Sequence, residues 1–194
     1  MEIAYLHLVT NHIPIIGIPV AIVVLLLGIW RKSPEIKAVA FLLFTGIGLL
    51  TIMVYFLGQG GEDFIEELPG VSHDTIEEHE EFALPSLIVV LITAAAALFA
   101  LVRYGGLRTL LRRDGAEPAA FPGWLTIAVL VLALVSAGMV GWTARLGGAI
   151  RHPEFHGGVA QAASTSNNEA AEEAEENDGD DESGRGRGRG RSGR

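Results

Sequence analysis

Residues 83–102 read ALPSLIVVLITAAAALFALV, without one charged side chain. A helix of that length rises about 30 Å, the thickness of a bilayer's hydrocarbon core. A lone strand there would leave its backbone groups unpaired in lipid, so the stretch is predicted to be a membrane helix. Working outward, residues 13–30, 38–57 and 122–144 have the same character. The expectation is an all-α, four-helix transmembrane bundle with spans at about these limits. The first span is not expected to be a cleaved signal peptide, since no basic region precedes it and RKSPEIK follows where small residues would mark a cleavage site.

Composition supports this reading. The chain of 194 residues is 49% hydrophobic and 19% charged, with a mean hydropathy of +0.38, too apolar for a soluble domain of this size. The formal net charge of −9 argues against a nucleic-acid partner, because phosphate contacts need basic clusters. Zero cysteines exclude disulfide scaffolds, thiolate zinc, iron–sulfur clusters, c-type haem attachment and thiol nucleophiles. Metal chemistry, if present, falls to His, carboxylates or Met.

The charge is unevenly spread. Residues 1–156 carry 14 acids and 9 bases, and residues 157–194 carry 9 acids and 5 bases. From Gly157 the chain is Ala, Ser, Asn and Glu followed by RGRGRGRSGR. That segment cannot bury enough apolar surface to offset its ordering entropy, and it is expected to be a disordered tail.

Basic residues set the expected orientation. Arg31, Lys32 and Lys37 follow span one, and Arg103, Arg108, Arg112 and Arg113 follow span three. Residues 58–82 hold nine acids and no Lys or Arg. The positive-inside rule then puts both termini and the acidic loop outside a bacterial cytoplasmic membrane, against the mild opposition of Arg145 and Arg151. Trp30, Trp124 and Trp142 fall at the expected interfaces. The acidic loop, with Phe64, Ile65 and Leu68 on one apolar edge, reads as a short interfacial helix stopped by Leu68-Pro69-Gly70. Its nine acids read as a solvated, orientation-setting surface or as a collector of divalent cations or a basic partner such as a soluble electron carrier. Pro14 is expected in the first turn of span one, Pro19 and Pro85 to kink their spans, and Ala133, Ala137 and Gly141 to form a close-packing stripe towards Thr93 and Ala97.

All six histidines, His7, His12, His73, His79, His152 and His156, fall on the expected outer side. Asp74 with Glu77 reads as a capping box opening the helix of span three, on which Ile76, His79 and Ala83 share a face. His79 should therefore point inward, either as a ligand or as a buried ring bonded to a backbone carbonyl. His7 and His12 lie about 140° apart on one helix and cannot easily share an ion, whereas His7 and Asn11 form an i, i+4 pair. His152 and Arg151 follow Gly147 and Gly148, read as the stop of span four, and Arg151 could meet a haem propionate or a lipid headgroup. His73 and His156 are expected in water. The candidate haem-binding set is thus His7, His12, His79, Arg151 and His152, and the candidate copper or zinc set is His12, His79 and Glu80.

The stretches HLVTNHIPIIG (7–17), GQGGEDFIEELPGVSHDTIEEHEEFA (58–83) and TARLGGAIRHPEF (143–155) resemble a family of bacterial four-span membrane proteins of unknown function. The likeness covers about residues 5–156 and implies no activity. Small b-type cytochromes offer an architectural analogy only. Two functions follow as expectations. One is a redox protein holding haem b between His79 and His12 or His7 and exchanging electrons with quinone or a periplasmic carrier. The other is a non-catalytic subunit that handles copper or zinc transiently; a homo-oligomer is compatible with either.

Overall fold

The computed structural model describes residues 2–61, 65, 73–111 and 119–151. The chain divides into a compact unit, Met1–Arg151, and a second, His152–Arg194. The second, which holds the expected tail, and residues 62–64 and 66–72 of the acidic loop, with Phe64 and Leu68 of its expected apolar edge, lie outside the described residues. All regular structure among the described residues is helical: α1 (Glu2–Thr10), α2 (His12–Trp30), α3 (Pro34–Gln59), α4 (His73–Arg103), α5 (Gly106–Leu110) and α6 (Gly123–Arg151). Four helical stretches are long and apolar enough to cross a membrane, at Glu2–Trp30, Pro34–Gln59, His73–Arg103 and Gly123–Ile150.

Each stretch is longer than the sequence limits. Asn11 has helical φ −61° and ψ −22°, and its N–H donates to the His7 carbonyl at 2.9 Å. The first stretch therefore starts at Glu2 rather than Ile13. Pro14 lacks only the N–H that would reach back to Thr10, and the Thr10 hydroxyl bonds to Leu6 O. Helix α4 already includes His73, so Asp74 sits in its first turn and is not the N-cap. Pro19 and Pro85 lie inside continuous helices. Gly147 and Gly148 do not stop α6, which runs on to Arg151.

The turn between α2 and α3 is tight. Ser33 N–H donates to Gly28 O and Lys32 N–H to Ile29 O, both at 3.1 Å, with Lys32 at φ 52°. These are the paired bonds of a helix C-terminal reversal in a left-handed residue. Ser33 then caps α3, its Oγ accepting from Ile36 N–H at 3.2 Å, with Pro34 in the first turn.

Helix α2 packs on α3, α3 on α4, α4 on α6 and α6 back on α2. The facing residues alternate steps of three and four. On α1 and α2 they are Ala4, His7, Asn11, Pro14, Ile18, Ala21 and Leu25; on α4, Ile76, His79, Ala83, Ser86, Val90, Thr93 and Ala97; on α6, Val129, Ala133, Ser136, Val140, Thr143 and Gly147, every one buried or half-buried. A 3.5-residue repeat holds a seam towards its neighbours when helices coil left-handed. The expected Ala133–Ala137–Gly141 stripe departs from this seam because steps of four drift about 40° each. Gly141 is accordingly exposed, with nothing near its Cβ position.

Candidate functional site

His7, in the last turn of α1, and His79, in the second turn of α4, lie towards the N-terminal ends of their membrane stretches. His7 Nδ1 donates to Val54 O on α3 at 2.9 Å, and its ring lies over Gly58, where an added Cβ would come within 3.0 Å of Cε1. His79 repeats the arrangement against α6. Its Nδ1 donates to Thr143 O at 3.0 Å, and its ring lies over Gly147, where a Cβ would come within 3.1 Å of Cε1. In both cases the accepting carbonyl belongs to residue i and the glycine is residue i+4 of the neighbouring helix. A helical carbonyl already takes one bond from the N–H four residues on, and its second lone pair accepts the imidazole. Without a side chain at i+4, the ring can reach that lone pair.

A carbonyl only accepts, so Nδ1 carries the proton in both rings and Nε2 is left as a bare lone pair. Among the described residues neither Nε2 has a hydrogen-bond partner, and neither is wholly enclosed. Fixing one ring nitrogen on a carbonyl while the other stays open is how proteins orient a histidine for a metal.

The other candidates are arranged differently. His12 is exposed and turns Nδ1 onto its own helix, at 3.1 Å from Leu8 O. Glu80 is half-buried and accepts from Gln59 Nε2 at 2.9 Å, a bond between the rims of α3 and α4. His12, His79 and Glu80 therefore do not gather around a common point, and no group of three or more metal-ligating side chains occurs among the described residues. Arg151 is the last residue of α6; its side chain, His152 and His156 lie outside the described residues. His73 is exposed, as expected.

Below the histidines, hydroxyls pair across α4 and α6. Ser86 Oγ meets Thr143 Oγ1 at 2.8 Å, and Thr93 Oγ1 meets Ser136 Oγ at 2.9 Å. Thr93 and Ser136 also line a small cavity of about 10 Å³ with Ile18, Phe44, Ile47 and Val90, room for about one water and far too little for an organic ligand. The sequence reading did not single out Val54, Gly58, Thr143 or Gly147 as partners of the rings. The signal that would have found them is a His on one seam opposite a glycine on the next.

Two neutral imidazole donors suit an iron whose equatorial positions are filled by a macrocycle. They do not complete a tetrahedral zinc site, which takes four ligands. Comparison with protein families, with curated proteins and with solved structures finds no match to this chain.

Proposed function

We propose that the protein is a redox protein of the bacterial cytoplasmic membrane, a four-helix bundle with both termini outside, in which His7 and His79 hold haem b. The observation that carries this reading is the repeated histidine arrangement: two rings on different helices, each with Nδ1 on a carbonyl and Nε2 open. When bound, the haem would supply one-electron chemistry. The chain's own part is orientation: Val54 O and Thr143 O hold the tautomer, Gly58 and Gly147 admit the rings, and the hydroxyl pairs below tie α4 to α6. Helix α4 has 31 residues and is about 46 Å long, some 16 Å more than the hydrocarbon core, which favours a histidine layer near the headgroups. Exchange with quinone or a periplasmic carrier at that level completes the reading.

The purified, haem-supplied protein should show a Soret band and, on reduction, split alpha and beta bands. His79→Ala should abolish them, and His73→Ala should not. A colourless wild-type protein would exclude haem. For the orientation, single cysteines at Arg108 and Glu66, in a chain with none of its own, should react from inside and outside respectively; labelling of position 108 in intact spheroplasts would reverse it.

A second reading is favoured by the same bonds seen as helix clasps. On it the rings serve only to join α1 to α3 and α4 to α6 in a non-catalytic subunit. His79→Ala would then lower thermal stability in a protein that binds neither haem nor copper nor zinc.

A further inference from the structure

We propose that Asn11 is a ligand-binding residue at the histidine site and that it accepts a hydrogen bond from a lipid-soluble hydroquinone. Among the described residues, Asn11 Oδ1 is the one buried side-chain oxygen or nitrogen without a hydrogen-bond partner. The amide has no capping role, for Asn11 is helical and its side chain bonds to no backbone group. By contrast, the buried hydroxyls of Thr51, Ser86, Thr93 and Thr109 each have a partner. A buried acceptor left open among otherwise satisfied groups calls for a donor that the described residues do not supply.

Position and surroundings narrow that donor. Asn11 stands one turn beyond His7 on the same face, at a seam position followed by buried Pro14 and Ile18. Residues 3–30, 38–61, 82–102 and 118–144 contain no Asp, Glu, Lys or Arg, so nothing in the core neutralises a charged ligand, and a neutral one is required. Its body must be apolar to lie among these residues, and it must carry a hydroxyl. Resting on the redox reading of the site, the ligand is then an electron carrier with those properties: a hydroquinone head on an apolar tail.

The test compares a decyl-tailed benzohydroquinone, kept reduced, with its dimethyl ether, by equilibrium dialysis against the full-length protein in detergent. The ether has the same shape and no donor. The hydroquinone should bind saturably and at least about tenfold more tightly than the ether, a difference of about 1.4 kcal/mol. Asn11→Leu should remove that preference while keeping any Soret band and leaving thermal stability unchanged or raised. Equal affinity of the two probes for wild-type protein, or an undiminished preference in Asn11→Leu, would overturn the proposal and leave Asn11 bonded to water only. A coloured protein that fails to discriminate sinks the Asn11 assignment and spares the haem; a colourless one that discriminates does the reverse.

Discussion

The two ends of the core use the same seam with opposite chemistry. Towards the Arg31 and Arg103 ends the seam and its neighbours are Ala21, Leu25, Phe41, Ala97, Leu101 and Val129, all at 0% exposure. Phe121 closes that end, its ring edge-on to Phe41 with centroids 5.0 Å apart. Towards the other end the corresponding positions hold His7, Asn11, His79, Ser86 and Thr143, opposed by Gly58 and Gly147. Lipid tails are as apolar as Leu, so burial from water does not hold the first region together; shape and dispersion do. In the second region contact is made through hydrogen bonds to backbone carbonyls, which leave polar atoms open. One region carries the helix assembly and the other is free to carry chemistry.

The largest expected effect tests that division. Phe41→Ala should cost about 3–5 kcal/mol by emptying a filled site, whereas His79→Ala should cost only about 1 kcal/mol for its single hydrogen bond. Unfolding in mixed detergent micelles measures both. Equal losses would show that the histidine end is as structural as the other.

Glycines sharpen the comparison at the next scale. Gly147→Ala places a methyl against the His79 ring and should cost about 1–2 kcal/mol, or turn the ring off Thr143 O. Gly148→Ala meets nothing within 4 Å and should be neutral or stabilise by up to about 1 kcal/mol through helix propensity. The same pair of variants read by the His79 imidazole NMR signals should move the ring only in the first. A matching shift from Gly148→Ala would break the argument that the glycine opposite the histidine is what admits it.

How much of this was legible follows from what kind of signal each feature leaves. Charge-free runs announce the four helices, because a membrane core excludes charge over a fixed length. Helix ends were less visible: the sequence limits stop where charge begins, yet α4 continues through Glu77, Glu78, Glu80 and Glu81 to His73, and α6 continues through Gly147 and Gly148. The inward face of His79 was readable from Ile76 and Ala83, both of which are covered as expected. Its partner was not, because a backbone carbonyl looks the same at every residue; only Gly147 marks the place, and a glycine near a helix end reads equally well as a stop. The orphaned Asn11 oxygen was out of reach for the same reason, since satisfaction depends on neighbours from other helices.

A smaller effect belongs to the basic end. Lys32 holds φ 52° in the reversal between α2 and α3, a conformation that costs a side-chain-bearing residue about 1–2 kcal/mol and glycine almost nothing. Lys32→Gly should therefore raise stability by up to about 1 kcal/mol, part of the gain being offset by the entropy of a more flexible unfolded chain. The melting midpoint in detergent checks the sign. A loss would mean that the Lys32 side chain contributes more than its backbone strain removes.

The smallest effect lies where the two regions meet, at Thr93 and Ser136. Thr93 Oγ1 donates to Val89 O at 2.9 Å, so its single hydrogen is used and Ser136 Oγ must be the donor between them, at 2.9 Å. Thr93→Val then removes the acceptor that Ser136 needs, at a site where Ser136 is 1% exposed. Ser136→Ala leaves Thr93 with its own carbonyl, so Thr93→Val should cost more than Ser136→Ala. The double variant should cost less than the sum of the two, by a coupling of about 0.6 kcal/mol, the usual size for hydroxyl pairs between membrane helices. That value is small because in separated helices each hydroxyl can turn back onto a carbonyl of its own chain. Four unfolding curves complete the cycle: a coupling near zero would mean that the pair contributes no more than two independent side chains, and a reversed order of the single variants would reverse the assignment of donor and acceptor.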